Sequence, residues 1–484
     1  MGKAFALVLL SCCMAAAQNL TPEVKRFVKV DSPVVALLHV RVIDGTGAAA
    51  REDQTIIVNK GKIESIGDAS AASVPKDAQV LDLKGYSVIP GLVGMHEHMF
   101  YPAGGAIFHE MPISFPRLYL AGGVTTIRTA GSIEPYMDLA LKREIDGGEV
   151  AGPHMHVTGP YLEGPGSWAP QMTYLRTPEE AVATVNFWAD RGVDNFKAYN
   201  FLSRAVLKGA IDAAHKRGLK ITGHLCSIGF REAAELGIDD LEHGIAVDTE
   251  FFPGKKPDQC PNDSLASMVE VTASLGNMQV GDPAIQQMIR DLVAHHVAVT
   301  STLPVFELLV PDKAPLQPRV LSAMSEEARN DYLENRVQFD LPSRDPKNGE
   351  VRPRPWGRMF EQEKEFERAF VKAGGLLLAG EDPTGIGGDL AGFGDQREVE
   401  LLVEAGFTPL EAVHIVTYNG AQYLGDLDHI GTIAAGKQAD LVVIKGDPSK
   451  KIEDIENVET VFKDGVGYDS AKLIESVRGM VGSR

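Results

Sequence analysis

The chain has 484 residues, 44% of them apolar and 23% charged, with 47 basic against 66 acidic side chains and a formal charge of −19. Those proportions belong to a soluble globular protein with room for one large barrel plus a satellite, or for two to three ordinary domains. The acidic balance argues against nucleic acid or an anionic membrane surface as partner and for solubility as a free enzyme; the expected partners are a small-molecule substrate and, as an option, further copies of the chain in a homo-oligomer.

Met1-Gly2-Lys3 carries one positive charge and leads into AFALVLLSCCMAAA, which is apolar but too short to span a bilayer. The stretch ends Ala15-Ala16-Ala17-Gln18, a small-x-small cleavage pattern, so residues 1–17 read as a signal peptide and the mature protein as periplasmic or secreted. The competing reading lipidates Cys12 in Leu9-Leu10-Ser11-Cys12, where Leu10 fits the cleavage site poorly. No later segment has the length of a membrane span. Of four cysteines only Cys226 and Cys260 remain after the leader, which excludes a disulfide scaffold and leaves room for one bridge.

Residues 34–87 hold short β-branched runs (VVALLHVRVIDGTG, QTIIVNKGKIESIGD, AQVLDLKGYSVIP) separated by glycine turns. The same texture returns only near the end, in GTIAAGKQADLVVIKGD and VETVFKDGVGYD. Residues 18–87 and 426–484 are therefore expected to build one small β-sandwich from both chain ends. Between them, eight short apolar strands alternate with helical patterns: GLVGMHEHM, GVTTIRTAG, HMHVTGPYL, VDNFKAYN, LKITGHLCS, IDDLEHGIA, HVAVTSTLPVFE and GGLLLAGEDPTG. Thr177-Pro178-Glu179-Glu180 and Thr408-Pro409-Leu410-Glu411 are capping boxes that open two of the helices. Strand-then-helix order repeated eight times predicts an α/β fold, a (β/α)8 TIM barrel over residues 88–425. The Pro-rich, charged stretch from about 250 to 365 exceeds what βα connections need and is expected to form lid-like loops.

Catalytic groups of such a barrel sit at the C-terminal strand ends. In chain order these ends carry His96 and His98, Lys197, His224, His243 and Asp382. In an extended strand His96 and His98 share a face while Glu97 points away, so two imidazoles converge on one spot, as a transition-metal site requires. Lysine has no lone pair when charged. Buried among histidines it is expected to be deprotonated or chemically altered, and addition of carbon dioxide would make Lys197 a carbamate whose two oxygens can bridge two metals.

This series, with PGLVGMHEH, GVTTIRTAG, DNFKAY, EHG, TPLEAV and GTIAAGKQADLVV around it, resembles the amidohydrolase superfamily and its branch of imidazolonepropionases and metal-dependent prolidases. The resemblance covers nearly the whole mature chain. It implies a binuclear site in which His96, His98 and Asp382 hold one divalent metal and His224 and His243 the other. N6-carboxylated Lys197 and a hydroxide would bridge the pair, and zinc suits the imidazole-and-oxygen ligation. The bridging hydroxide would attack a carbonyl polarised by the metal, with Asp382 taking its proton and returning it to the leaving nitrogen.

Tyr199 lies two residues after Lys197, on the face that points into the mouth, and is expected to contact the substrate carboxylate or the oxyanion. Tyr161 and His109 are further pocket-wall, substrate-binding candidates. Cys226 follows His224 by two and reads as a small apolar filler, with a bridge to Cys260 as the alternative. A second His-x-His, His154-Met155-His156, opens its strand rather than closing it and is left out of the metal site, as are His295-His296, His39, His215, His414 and His429. Arg128 is followed by Thr129 where relatives often carry aspartate, so no substrate contact is inferred at the second strand.

The resulting expectation is an exported hydrolase cleaving a C–N amide bond of a dipeptide or N-acyl amino acid. A cyclic amidase or lactonase using the same metal site is the alternative. A non-catalytic binding protein would have lost a ligand or Asp382, and none is lost.

Overall fold

The computed structural model describes residues 20–483 apart from 105–106, 168–169, 262–264, 345–348, 350 and 353. The expected leader, residues 1–17, lies outside the described residues. Among the described residues no helix is long and apolar enough to cross a membrane.

The fold is α/β and TIM-barrel-like. Parallel strands follow one another in chain order: β1 (Leu92–Glu97), β2 (Val124–Thr129), β3 in two pieces (His154–His156 and Thr158–Glu163), β4 (Asn195–Ala198), β5 (Lys220–Gly223), β6 (Asp240–Glu242), β7 (Ala298–Ser301) and β8 (Leu377–Ala379). The first piece of β3 pairs with β2 and the second with β4, so the strand bends at Val157 to serve both neighbours. Continuous apolar runs suit strands covered on both faces, and β1, β2, β4, β6, β7 and β8 are buried throughout. The last strand returns to the first. The amide of Asp382 donates to His96 O at 3.1 Å, and a Cβ on Gly380 would stand 2.3 Å from His96 N. Only glycine permits that approach, which is why the segment reads Ala-Gly-Glu-Asp.

Helices fill the connections, among them Pro178–Ala189, Arg204–Lys216, Phe230–Leu236, Pro283–Ala294, Trp356–Lys372 and Phe393–Glu404. Thr177 and Thr408 cap as their sequences predict, accepting from the amides of Glu180 and Glu411 at 3.3 Å each. The two chain ends meet in one nine-stranded sheet, joined where Leu441–Lys445 pairs antiparallel with Tyr86–Pro90.

Two expectations need correction. The stretch from about 250 to 365 is largely helical rather than loop. Ile285, Met288, Ile289 and Leu292 recur at helical spacing and are buried, as are Met359, Phe360, Phe366 and Phe370. That spacing outweighs the prolines and charges at the segment's edges. Cys226 is not a free apolar filler: it is disulfide-bonded to Cys260, with a Cα–Cα distance of 4.9 Å, tying the end of β5 to the irregular Phe252–Pro261 segment.

Candidate metal centre

His96, His98 and Asp382 come together at the mouth, with His243 beside them. His98 Nε2 lies 3.3 Å from Asp382 Oδ1, His96 Nε2 lies 3.7 Å from Oδ2, and His243 Nε2 lies 3.9 Å from Oδ2. His224 packs against this group, its ring edge-on to that of His243 at 4.6 Å and tilted against that of Tyr199 at 4.8 Å. Lys197 is fully buried one strand away, its Nζ 3.6 Å from Glu242 Oε1. Two of the non-glycine residues with positive φ, His243 (66°) and Asp382 (59°), lie at this site. Non-glycine residues in that region persist where surrounding structure holds them, often at working sites.

The outer nitrogens explain the inner ones. His96 Nδ1–H donates to Glu242 Oε2 at 2.7 Å and His98 Nδ1–H to Gly131 O at 3.2 Å, and His243 Nδ1 is hydrogen-bonded to Thr302 Oγ1 at 2.7 Å. A carbonyl and a carboxylate can only accept, so the contacts of His96 and His98 fix their Nδ1–H and turn Nε2 toward Asp382, while the Thr302 hydroxyl orients the His243 ring. Burial, aided by Lys197, holds His96 well below the ordinary imidazole range and pushes His224 down to about 3. Burial and the neighbouring His96 do the same to His243. These imidazoles are neutral donors. His243 Nε2 is buried and has no hydrogen-bond partner.

Such a set fits a divalent metal. Two ligands each about 2.0–2.2 Å from one ion stand roughly 3–4 Å apart, which spans the separations around Asp382. Burial also lowers the Lys197 ammonium, favouring the neutral amine. Although burial alone would raise it, the positive charge that His96, His98 and Lys197 can carry lowers the Asp382 carboxyl well below the usual carboxylate range, so the carboxylate form goes with a proton held among those neighbours.

The sequence does not single out the residues that support this group. Arg128 is 1% exposed and reaches across the interior, Nη1 to Asp240 Oδ2 at 2.7 Å and Nη2 to Glu242 Oε1 at 3.0 Å. The Thr222 hydroxyl donates to Glu242 Oε1 at 2.6 Å. Arg128 thus belongs to the scaffold beneath His96, in keeping with no substrate contact there. Glu97 faces away from the histidines and meets Glu381 and Asp395 on the far side of β1, where burial raises all three carboxyls, Asp395 to about 6.

Aromatic rings form the walls. Tyr161 places its hydroxyl 3.4 Å from His98 Nε2 and its ring 5.0 Å from Tyr199; burial pushes both phenols up, so both stay protonated. Phe100 stacks on His98 at 4.4 Å and Phe306 meets His243 edge-on at 5.7 Å. His109 sits on Phe108–Glu110, where strand alternation turns its neighbour Phe108 to Phe100, ring to ring 5.1 Å, and His109 to the other face. Elsewhere His39, His215 and His414 are held by Asp53, Asp239 and the Gly45 carbonyl, away from the mouth.

Comparison with known proteins agrees with this geometry. Residues 379–467 match the Amidohydrolase family. An imidazolonepropionase from Idiomarina loihiensis is 38% identical over 107 residues, 21% of this chain and 26% of the relative. The aligned stretches span about a fifth of the length of the curated relatives that the chain matches. A provisionally assigned prolidase from Bifidobacterium longum shares the fold at TM-score 0.65 and 24% identity, over 92% of this chain and 98% of that one. An Xaa-Pro dipeptidase solved with methionine in its active site does so at TM-score 0.65 and 18% identity, over 90% and 100%. These matches support membership of the amidohydrolase superfamily.

Proposed function

We propose that the protein is an exported, divalent-metal-dependent hydrolase of C–N amide bonds whose substrate is a dipeptide or N-acyl amino acid, within the imidazolonepropionase and prolidase-like branch. One observation carries the reading. Three buried imidazoles have their Nδ1 atoms hydrogen-bonded outward and their Nε2 atoms within 3.3–3.9 Å of one aspartate. The neighbourhood of prolidase folds motivates the substrate class.

In this reading His96, His98 and Asp382 would hold one zinc ion and His224 and His243 a second, with carboxylated Lys197 as a ligand between the two groups. Such a pair supplies Lewis-acid polarisation of the scissile carbonyl and activation of water. Asp382, as the carboxylate, accepts the proton that the attacking water gives up and delivers it to the departing nitrogen. Tyr199, protonated and beside His224, donates to the oxygen that gains charge, and Tyr161 and Phe100 pack the substrate side chain. Glu242 and Thr302 hold the imidazoles in register. The two end segments, 18–87 and 426–484, form a β-sandwich domain beside a closed (β/α)8 barrel spanning 88–425. The Cys226–Cys260 disulfide supports an oxidising compartment, consistent with a cleaved leader.

The imidazolonepropionase relative favours a second reading, hydrolysis of a cyclic amide. A panel of zinc-loaded assays separates the two: dipeptides, their C-terminal amides, N-acyl amino acids and cyclic amides. Turnover of dipeptides that falls sharply for the C-terminal amides supports the first reading. Turnover confined to cyclic amides replaces it with the second, and no turnover of any amide overturns both.

A further inference from the structure

The second His-x-His of the sequence has no part in the site above. It begins β3, with His154 beside Thr126 at the start of β2, while Tyr161 on the same strand reaches the mouth. Seven residues of strand separate His154 from Tyr161, roughly 20 Å. The two histidines differ. His156 is engaged at both nitrogens, Nε2 with Asp426 at 2.8 Å and Nδ1 with Asp194 at 3.4 Å. His154 is not. Its Nε2 lies 3.3 Å from Asp464 Oδ2 and 3.7 Å from Asp440 Oδ2, and one ligand atom from each of the three falls within 4.8 Å of the others.

Two features of this trio point to a ligand. His154 Nε2 and Asp440 Oδ2 are both buried without a hydrogen-bond partner, and Asp440 as a whole is 5% exposed. The rest of the trio is held in place. Asp440 Oδ1 accepts the Asp464 amide at 2.7 Å, and Asp464 Oδ1 accepts from the Gln438 side chain at 3.2 Å. Ligand atoms 2.0–2.2 Å from zinc at the tetrahedral angle stand about 3.3–3.6 Å apart, close to the two separations from His154. A cavity of about 220 Å³ lined by His154, Thr126 and Lys142 among others adjoins the imidazole and gives an ion and its water a way in.

We propose that His154, Asp440 and Asp464 form a separate zinc-type divalent-metal site, with water completing the shell. It joins β3 to the terminal sheet, because Asp440 directly precedes the strand Leu441–Lys445 and Asp464 directly follows Val458–Lys463. The competing state is an imidazolium ion-paired with both aspartates. Lys463 Nζ, 3.4 Å from Asp464 Oδ2, neutralises part of the carboxylate charge for either cation, so zinc content rather than charge balance separates the two states.

The test compares full-length wild type with His154→Gln and Asp464→Asn after equilibration with zinc and desalting. Zinc per chain is measured by mass spectrometry and thermal unfolding is recorded with and without zinc. Each variant is expected to bind one zinc fewer per chain and to lose part of the zinc-dependent rise in Tm. Equal zinc content in wild type and variants overturns the site, as does a wild-type Tm that follows imidazole protonation and ignores zinc. Should both variants fail to fold, zinc-edge anomalous diffraction from wild-type crystals decides: a peak between the three ligand atoms is expected, and a flat map there refutes it.

Discussion

Arg128→Met is the perturbation that best exposes how the metal cage is supported. Methionine matches much of the arginine's length and apolar stem, so the substitution removes charge more than volume. In the wild type the guanidinium donates to Asp240 Oδ2 at 2.7 Å, to Glu242 Oε1 at 3.0 Å and to Met95 O at 2.7 Å. Both carboxylates are fully buried. Breaking a buried pair from one side strands its partner and costs about 3–5 kcal/mol. Here two partners are stranded, although the Thr222 and Thr300 hydroxyls still donate to them. The loss should therefore fall within that range rather than double it. Equilibrium urea unfolding followed by circular dichroism reads it as a lower midpoint at unchanged slope. Because Glu242 orients His96, metal affinity should also fall by roughly 10–100-fold. Arg128→Met/Asp240→Asn, which removes one stranded charge, should recover part of the stability. A loss below about 1 kcal/mol in the single variant would refute the claim that Arg128 balances these carboxylates.

Asp382→Asn should keep the fold and reduce amide hydrolysis by at least about 10²-fold, checked by steady-state kinetics beside a circular-dichroism spectrum. Thr302→Val removes the hydroxyl bonded to His243 Nδ1 and should weaken metal binding by about 10–100-fold in a chelator competition, with little change in unfolding midpoint. Burial pushes Asp138 up to about 7, so the folded state holds a proton that the unfolded chain releases near pH 4. That stabilisation is complete below about pH 4 and is lost as pH rises through 7; Asp138→Asn should abolish a decline of roughly 2–4 kcal/mol, measured by urea unfolding between pH 5 and 8. Reducing the Cys226–Cys260 bridge, which spans 34 residues, should cost about 3–4 kcal/mol by loop-closure entropy, measured as the difference in unfolding midpoint with and without reductant.

The metal-facing residues are legible because strand alternation and strand-end position are local properties. His96, His98, His224, His243 and Asp382 each close a short apolar run, and the fold carries such ends to one mouth. Glu242 and Thr302 are harder to see. Glu242 lies beside His243 in the same Leu-Glu-His-Gly run, and its meaning depends on Arg128, more than a hundred residues away. A charged pair such as Asp240-x-Glu242 inside a buried strand is the available signal, since such charges need a buried partner. The helices between 250 and 365 are masked by prolines and charges at their edges, although the 3.6-residue spacing of Ile285, Met288, Ile289 and Leu292 is present. The disulfide is suggested by an even cysteine count in a chain whose leader predicts export, but not by any property of Cys226 itself. Asp440 and Asp464 come to His154 only through the meeting of the two chain ends.

Zinc-edge anomalous diffraction from crystals grown with zinc and bicarbonate tests the central claim most directly. The account predicts two peaks roughly 3.5–4 Å apart among His96, His98, His224, His243 and Asp382, with carbamate density extending from Lys197 Nζ between them. A map with no peak among those imidazoles, and an unmodified Lys197 ammonium resting against Glu242, would contradict it.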